Sequence, residues 1–64
     1  MIRDITESEI KDLERLKYYY PFRHVFGVID NLNNFEAYAM STKRKANDLA
    51  RKGNKVLFLE YEKG

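Results

Sequence analysis

Residues 22–40 read FRHVFGVIDNLNNFEAYAM and predict the β-hairpin around which the fold is built. Successive side chains of a strand point to opposite faces, and the alternation over 22–29 is typical of a strand. The next five residues, DNLNN at 30–34, are Asn and Asp in large part, and these residues tolerate left-handed backbone and bond their own backbone. A second strand at 35–40 completes a hairpin with a loop of four or five residues.

Before the hairpin, the sequence predicts an amphipathic helix. Thr6 and Glu9 have the spacing of a capping box, and Ile5 with Ile10 can form a hydrophobic staple around the helix start. Pro21 disfavours helical geometry at the residue before it, so we expect the helix to end there.

After the hairpin, a second helix and a third strand are expected. Ser41 or Thr42 is the predicted cap of a helix that runs to about Lys52, with Gly53 and Asn54 as its left-handed exit. A strand is predicted over 55–61, and its sequence VLFLEY at 56–61 is apolar on both faces through its middle. This pattern favours an interior position in the sheet, or one face covered by a partner.

These elements predict a single α+β domain over residues 1–64, in the order α-β-β-α-β. A right-handed crossover makes the third strand parallel to the second. Placing it beside the first strand gives a three-stranded mixed sheet of order 2-1-3, with both helices packed on one face. The less favoured alternative places it beside the second strand.

Length and composition restrict the class of protein. The chain has 64 residues, no cysteine and one histidine, so we expect neither disulfides nor a zinc site to stabilise its fold. Small domains are only modestly stable, and a homodimer is one way of adding buried surface. The sequence does not begin with the basic residues and following apolar stretch that are typical of a signal peptide, and its longest apolar run is at 56–59. We therefore expect a cytoplasmic protein without a membrane segment.

The segment 41–55, STKRKANDLARKGNK, is strongly basic. It holds six of the twelve Lys and Arg residues against one acid, Asp48, so its local formal charge is +5 in a chain of net charge +2. Clustered cations attract acidic partners. The candidate partner-binding residues in this segment are Lys43, Arg44, Lys45, Arg51 and Lys52.

Three consecutive tyrosines form the second candidate site. Tyr18, Tyr19 and Tyr20 follow one another at the predicted end of the first helix, where a small core can bury one or two of them but seldom all. Exposed tyrosines are enriched in protein interfaces and can also stack on unpaired bases. Packing of the helix end on the first strand is the competing structural interpretation.

Catalysis is poorly supported. His24 is the single histidine and shares a strand face with Phe22 and Phe26, which favours a packing role. The segment 30–34 places Leu32 where a calcium loop needs an oxygen ligand, and three glycines form no phosphate loop. We predict a non-enzymatic protein without cofactor or metal.

In size, lack of cysteine and single-domain layout, the chain resembles the small accessory proteins that bacteriophages encode to inhibit or redirect host factors. The resemblance covers the whole chain, rests on no diagnostic motif, and implies no residue roles. It favours an inhibitor or modulator that docks on another protein, and the basic segment favours an acidic surface on that protein. The alternative is a nucleic-acid-binding protein that lays the basic helix on phosphates and stacks bases on the tyrosines.

Overall fold

A β-hairpin lies at the centre of the computed structural model, which describes residues 2–59. Strand β1 (His24–Ile29) pairs with β2 (Phe35–Met40) in an antiparallel register that runs from His24 opposite Met40 to Ile29 opposite Phe35. Strand β3 (Lys55–Leu59) pairs with the other edge of β1, also antiparallel. The sheet order β2-β1-β3 confirms the prediction. The term mixed was wrong, because both hydrogen-bonded pairs of strands are antiparallel although β2 and β3 run in the same direction.

Helix α1 (Glu7–Tyr19) begins at the predicted capping box. The backbone N–H of Glu9 donates to the Thr6 hydroxyl at 3.3 Å, and the Thr6 N–H donates to the Glu9 carboxylate at 3.0 Å. Two donors that would otherwise lack partners at the helix start are therefore satisfied. The helix buries one residue completely, Leu13.

Helix α2 (Arg44–Arg51) begins later than predicted. Neither Ser41 nor Thr42 caps it: residues 41–43 form bends, and the N-cap is Lys43, whose side chain makes no capping hydrogen bond. The predicted exit is confirmed, because Gly53 has a φ of 93° in the region that favours glycine. Asn54 then donates from its backbone and its side-chain amide to the carbonyl of Leu49.

The two helices cover opposite faces of the sheet, so the prediction of both helices on one face was wrong. On one face Leu13 of α1 packs at Gly27, where a Cβ would lie 3.1 Å from Leu13 and 2.5 Å from the Phe35 ring. On the other face, Ala46 of α2 is buried with Phe26 and Val28. The reason is that β1 carries buried apolar residues on both faces, and each face needs its own cover.

The segment between α1 and β1 is an irregular turn, which shortens the predicted strand by two residues. The ammonium group of Lys17 donates to the carbonyls of Pro21 at 3.2 Å and Arg23 at 3.0 Å. Phe22, predicted to be the first residue of the strand, lies in this turn and is 89% exposed. At the other terminus, β3 is described as far as Leu59, so the part of the third-strand prediction at 60–61 lies outside the described residues.

The sheet has two distinct ends. The turn end holds the 30–34 loop, and there Arg3 donates from its backbone N–H to the side chain of Asn33 at 3.0 Å. Asp4 and Lys55 form an ion pair at the same end. Since α1 starts here, it finishes at the opposite end, where β1 begins and β2 ends. We call that opposite end the tyrosine end.

Candidate functional site

The tyrosine end brings together residues from two of the predicted candidate groups. His24 and Met40 are directly paired there. Phe22 precedes His24 by two residues and Lys43 follows Met40 by three, so each lies within about 7 to 11 Å of that pair along the chain. The tyrosines approach from the α1 face of the sheet and the start of α2 from the other face.

All three tyrosines of the cluster are exposed. Tyr18 is 81% exposed, Tyr19 68% and Tyr20 47%. The rings of Tyr18 and Tyr19 lie 5.6 Å apart at 86°, the edge-to-face geometry that aromatic pairs prefer. The helix end therefore leaves these rings in solvent, and packing on β1 does not explain them.

Phe22 adds a fourth exposed aromatic ring that sequence reasoning assigned to the strand face. Phe22 and Tyr18 are the two most exposed large apolar side chains of the tyrosine end. The available signal was Pro21, because a residue directly after a helix-ending proline often belongs to the turn and not to the next strand. Exposed rings that neighbour one another form an apolar patch, and such patches mark interaction sites more often than scattered single residues do.

The structure divides the five basic candidates between the two ends. Lys43, Arg44 and Lys45 lie at the tyrosine end, where α2 begins. Arg51 and Lys52 lie at its other terminus, about 12 Å away along eight residues of helix. The ammonium group of Lys43 is 5.1 Å from the centre of the Phe58 ring, a cation–π distance.

The start of α2 is electrostatically unfavourable for the helix itself. Its first turn contains no acid and two cations, Arg44 and Lys45, where the positive end of the helix dipole favours anions. Helix α1 shows the usual arrangement, with Glu7 and Glu9 in its first turn and a capping box. The contrast means that local helix stability does not account for the cations at the tyrosine end.

The turn end, by comparison, contains two ion pairs, Arg3–Glu9 and Asp4–Lys55. The two terminal guanidinium nitrogens of Arg3, Nη1 and Nη2, each donate to one oxygen of the Glu9 carboxylate at 2.6 Å. This bidentate pair, followed by the Thr6 backbone hydrogen bond, lowers the pKa of Glu9 to about 2. The ammonium group of Lys55 likewise lowers the pKa of Asp4. The first ion pair ties Arg3 to the start of α1, and the second ties Asp4 to the start of β3.

A shallow cleft of about 220 Å³ opens on the α2 face near the turn end. Its polar groups are engaged with one another: the Asp30 carboxylate accepts from the backbone N–H groups of Asn34 and Leu32 at 2.9 Å, and these bonds lower its pKa. The Tyr38 hydroxyl donates to Glu36, which raises the pKa of Tyr38. The cleft is smaller than the roughly 300 to 1,000 Å³ typical of small-molecule sites.

His24 is exposed as the first residue of β1. Within residues 2–59, no group of three or more His, Cys, Asp or Glu side chains is arranged to hold a metal ion. Over the same residues, neither helix has the length and apolar character that crossing a membrane requires. No family model matches the chain, and no curated protein or solved structure is significantly similar to it.

Proposed function

We propose that this chain is a small non-enzymatic binding protein that docks on an acidic surface of another protein through its tyrosine end. The observation that carries the proposal is that exposed aromatic rings and cations lie at the same end of the sheet, the rings on its α1 side and the cations on its α2 side. The rings belong to Tyr18, Tyr19, Tyr20 and Phe22, and the cations to Lys43, Arg44 and Lys45.

Aromatic rings supply the affinity in this proposal. Tyr and Trp are enriched among the residues that dominate interface energetics, because they bury a large rigid surface and keep a polar atom for hydrogen bonding. Tyr18 and Tyr19 present two such rings in one contact, and Phe22 adds an exposed apolar ring at the same end of the sheet.

The cations supply orientation and association rate. Arg44 and Lys45 occupy helical positions that disfavour them, so a carboxylate from a partner would relieve an existing repulsion as well as form new ion pairs. An acidic protein surface is thus the complementary partner.

A protein partner is favoured over nucleic acid on charge. The net charge of +2 is small for a phosphate binder, and the structure separates the five basic candidates into two groups at opposite ends of α2. In keeping with the resemblance to bacteriophage accessory proteins, the partner would be a host factor that the chain inhibits or modulates.

The test is capture of partners from a bacterial lysate on the immobilised protein, with and without nuclease and at low and moderate salt. We expect one stoichiometric protein that survives nuclease, and its loss from a Tyr18→Ala/Tyr19→Ala variant. Leu32→Ala, which removes an equally exposed apolar side chain at the turn end, is the matched control and should retain the partner. Loss of all partners after nuclease would indicate that the chain binds nucleic acid instead of protein. Undiminished capture by the tyrosine variant would refute the tyrosine end as the binding surface.

A further inference from the structure

We propose that β2 is a self-pairing edge, and that two copies of this chain join their β2 strands antiparallel to form one continuous six-stranded sheet. The proposal concerns a surface separate from the tyrosine end and does not depend on the function proposed for that end. It starts from the position of β2, which is the edge strand that the structure describes over its whole length.

The backbone groups that β2 offers follow from its pairing with β1. Asp30 donates its N–H to the carbonyl of Asn34 at 3.1 Å, while the Asn34 N–H donates to the Asp30 carboxylate, so these opposed residues point their backbone groups at each other as a hydrogen-bonded pair does. Bonded and non-bonded pairs alternate along an antiparallel ladder. The N–H and C=O groups of Phe35, Ala37 and Ala39 therefore point away from β1, toward the open edge. Within residues 2–59, no backbone group from outside the sheet bonds to these groups.

The strand also lacks the features by which proteins usually protect an edge. Natural edges are blunted by lysine, proline, bulges or short length. The sequence of β2, FEAYAM, has six residues and neither Lys nor Pro. Its register with β1 is continuous and contains no bulge, and its single charged residue is Glu36. Such an edge is a template for another strand.

One register suits a second copy of the same strand. A two-fold axis at Ala37 sets Ala37 opposite Ala37 of the second copy and Phe35 opposite Ala39, so every outward-pointing residue of β2 is hydrogen-bonded. Glu36 then faces Tyr38 of the second copy, and that hydroxyl can replace the hydrogen bond that Tyr38 now makes within its own chain. An axis at Glu36 would instead set two carboxylates opposite each other, which is unfavourable.

The side chains beside the axis favour a second copy as the occupant of the edge. Glu36 of each copy faces Tyr38 of the other, so a carboxylate acceptor meets a hydroxyl donor twice across the two-fold axis. A parallel pair in register would instead set Glu36 opposite Glu36, which is unfavourable. This reciprocal pairing selects a second copy, in the antiparallel direction.

Sedimentation equilibrium over about 1 μM to 1 mM protein tests the proposal. We expect the wild-type mass to rise from 7.7 kDa toward twice that value as the concentration increases. In Ala37→Pro, the outward N–H is removed without loss of a bond to β1, so self-association should weaken at least tenfold while the circular dichroism spectrum stays folded. A wild-type protein that remains monomeric throughout would overturn the proposal.

Two variants of opposite charge at Ala37 test the same edge if the proline variant fails to fold. Ala37→Lys and Ala37→Glu each set like charges against each other in a homodimer, and each should associate more weakly than the wild type. Mixed in equal amounts, they should form a heterodimer that associates more tightly than either variant alone. Ala50→Lys and Ala50→Glu, at an exposed alanine of α2, are the controls and should associate like the wild type. Equal masses for the mixture and the separate Ala37 variants would refute pairing at this edge.

Discussion

The packing of α1 on its own face of the sheet predicts a large cost for Leu13→Ala. Leu13 is the one completely buried residue of α1 and lies against Gly27, which has no side chain to fill the space. Removing three buried carbons costs about 2.4 kcal/mol in transfer free energy, and the residual cavity raises this to about 3 kcal/mol. A domain of this length is expected to be stable by about 3 to 10 kcal/mol in total, so the variant should lie close to its unfolding threshold.

Urea denaturation followed by circular dichroism measures this loss, and thermal melting provides a second estimate. The entropy of unfolding, about 2.1 cal/mol/K per residue, gives about 0.13 kcal/mol/K for this chain, so the melting temperature should fall by roughly 20 °C. Leu32→Ala is the same substitution at a residue that is 81% exposed, and it should change stability by less than about 0.5 kcal/mol. Indistinguishable midpoints for the two variants would refute the placement of α1.

Three further predictions follow from the caps, the ion pairs and the α2 face. Thr6→Ala should cost about 1 kcal/mol by removing the capping box, and an unchanged melting temperature would contradict the helix start. Glu9 has its pKa lowered from 4.5 to about 2, so its stabilising contribution is complete above about pH 4.5 and is lost as the pH falls toward 2. As the pH is lowered across that window, the denaturation midpoint of Glu9→Gln should fall less steeply than that of the wild type. Equal slopes for the two proteins would contradict a stabilising ion pair between Glu9 and Arg3. Ala46→Leu should destabilise the fold by about 1 to 3 kcal/mol through overpacking, whereas Ala50→Leu on the exposed side of α2 should have little effect; equal denaturation midpoints would contradict the α2 orientation.

Local sequence signals predicted most of the elements and their order. The capping box at Thr6, the Asn-rich turn and the left-handed exit at Gly53 each depend on the chemistry of a few neighbouring residues. The strand order followed from crossover handedness. The side of the sheet taken by each helix was not predictable in this way, because alternation shows that β1 has two apolar faces and does not show which helix covers each.

The candidate site was only partly predictable for a similar reason. Sequence reasoning identified the tyrosines and the basic residues, but their arrangement depends on the direction in which each helix runs across the sheet. The predicted helix already set Lys43, Arg44 and Lys45 at its start and Arg51 and Lys52 at its end, and the structure shows which end of the sheet each group reaches. Phe22 was misassigned because an alternating pattern continued by chance across the turn after Pro21.

The separation of the basic residues allows the most direct measurement of the central claim, namely capture of the partner by two charge-reversal variants. Arg44→Glu/Lys45→Glu reverses charge at the tyrosine end, and Arg51→Glu/Lys52→Glu makes the same change at the other terminus of α2. The helix dipole favours acids at the start of α2 and disfavours them at its end. Any loss of helix stability would therefore be larger in Arg51→Glu/Lys52→Glu than in Arg44→Glu/Lys45→Glu. The account predicts that the first variant loses the partner and the second retains it. Retention by the first variant, or loss by the second alone, would contradict it.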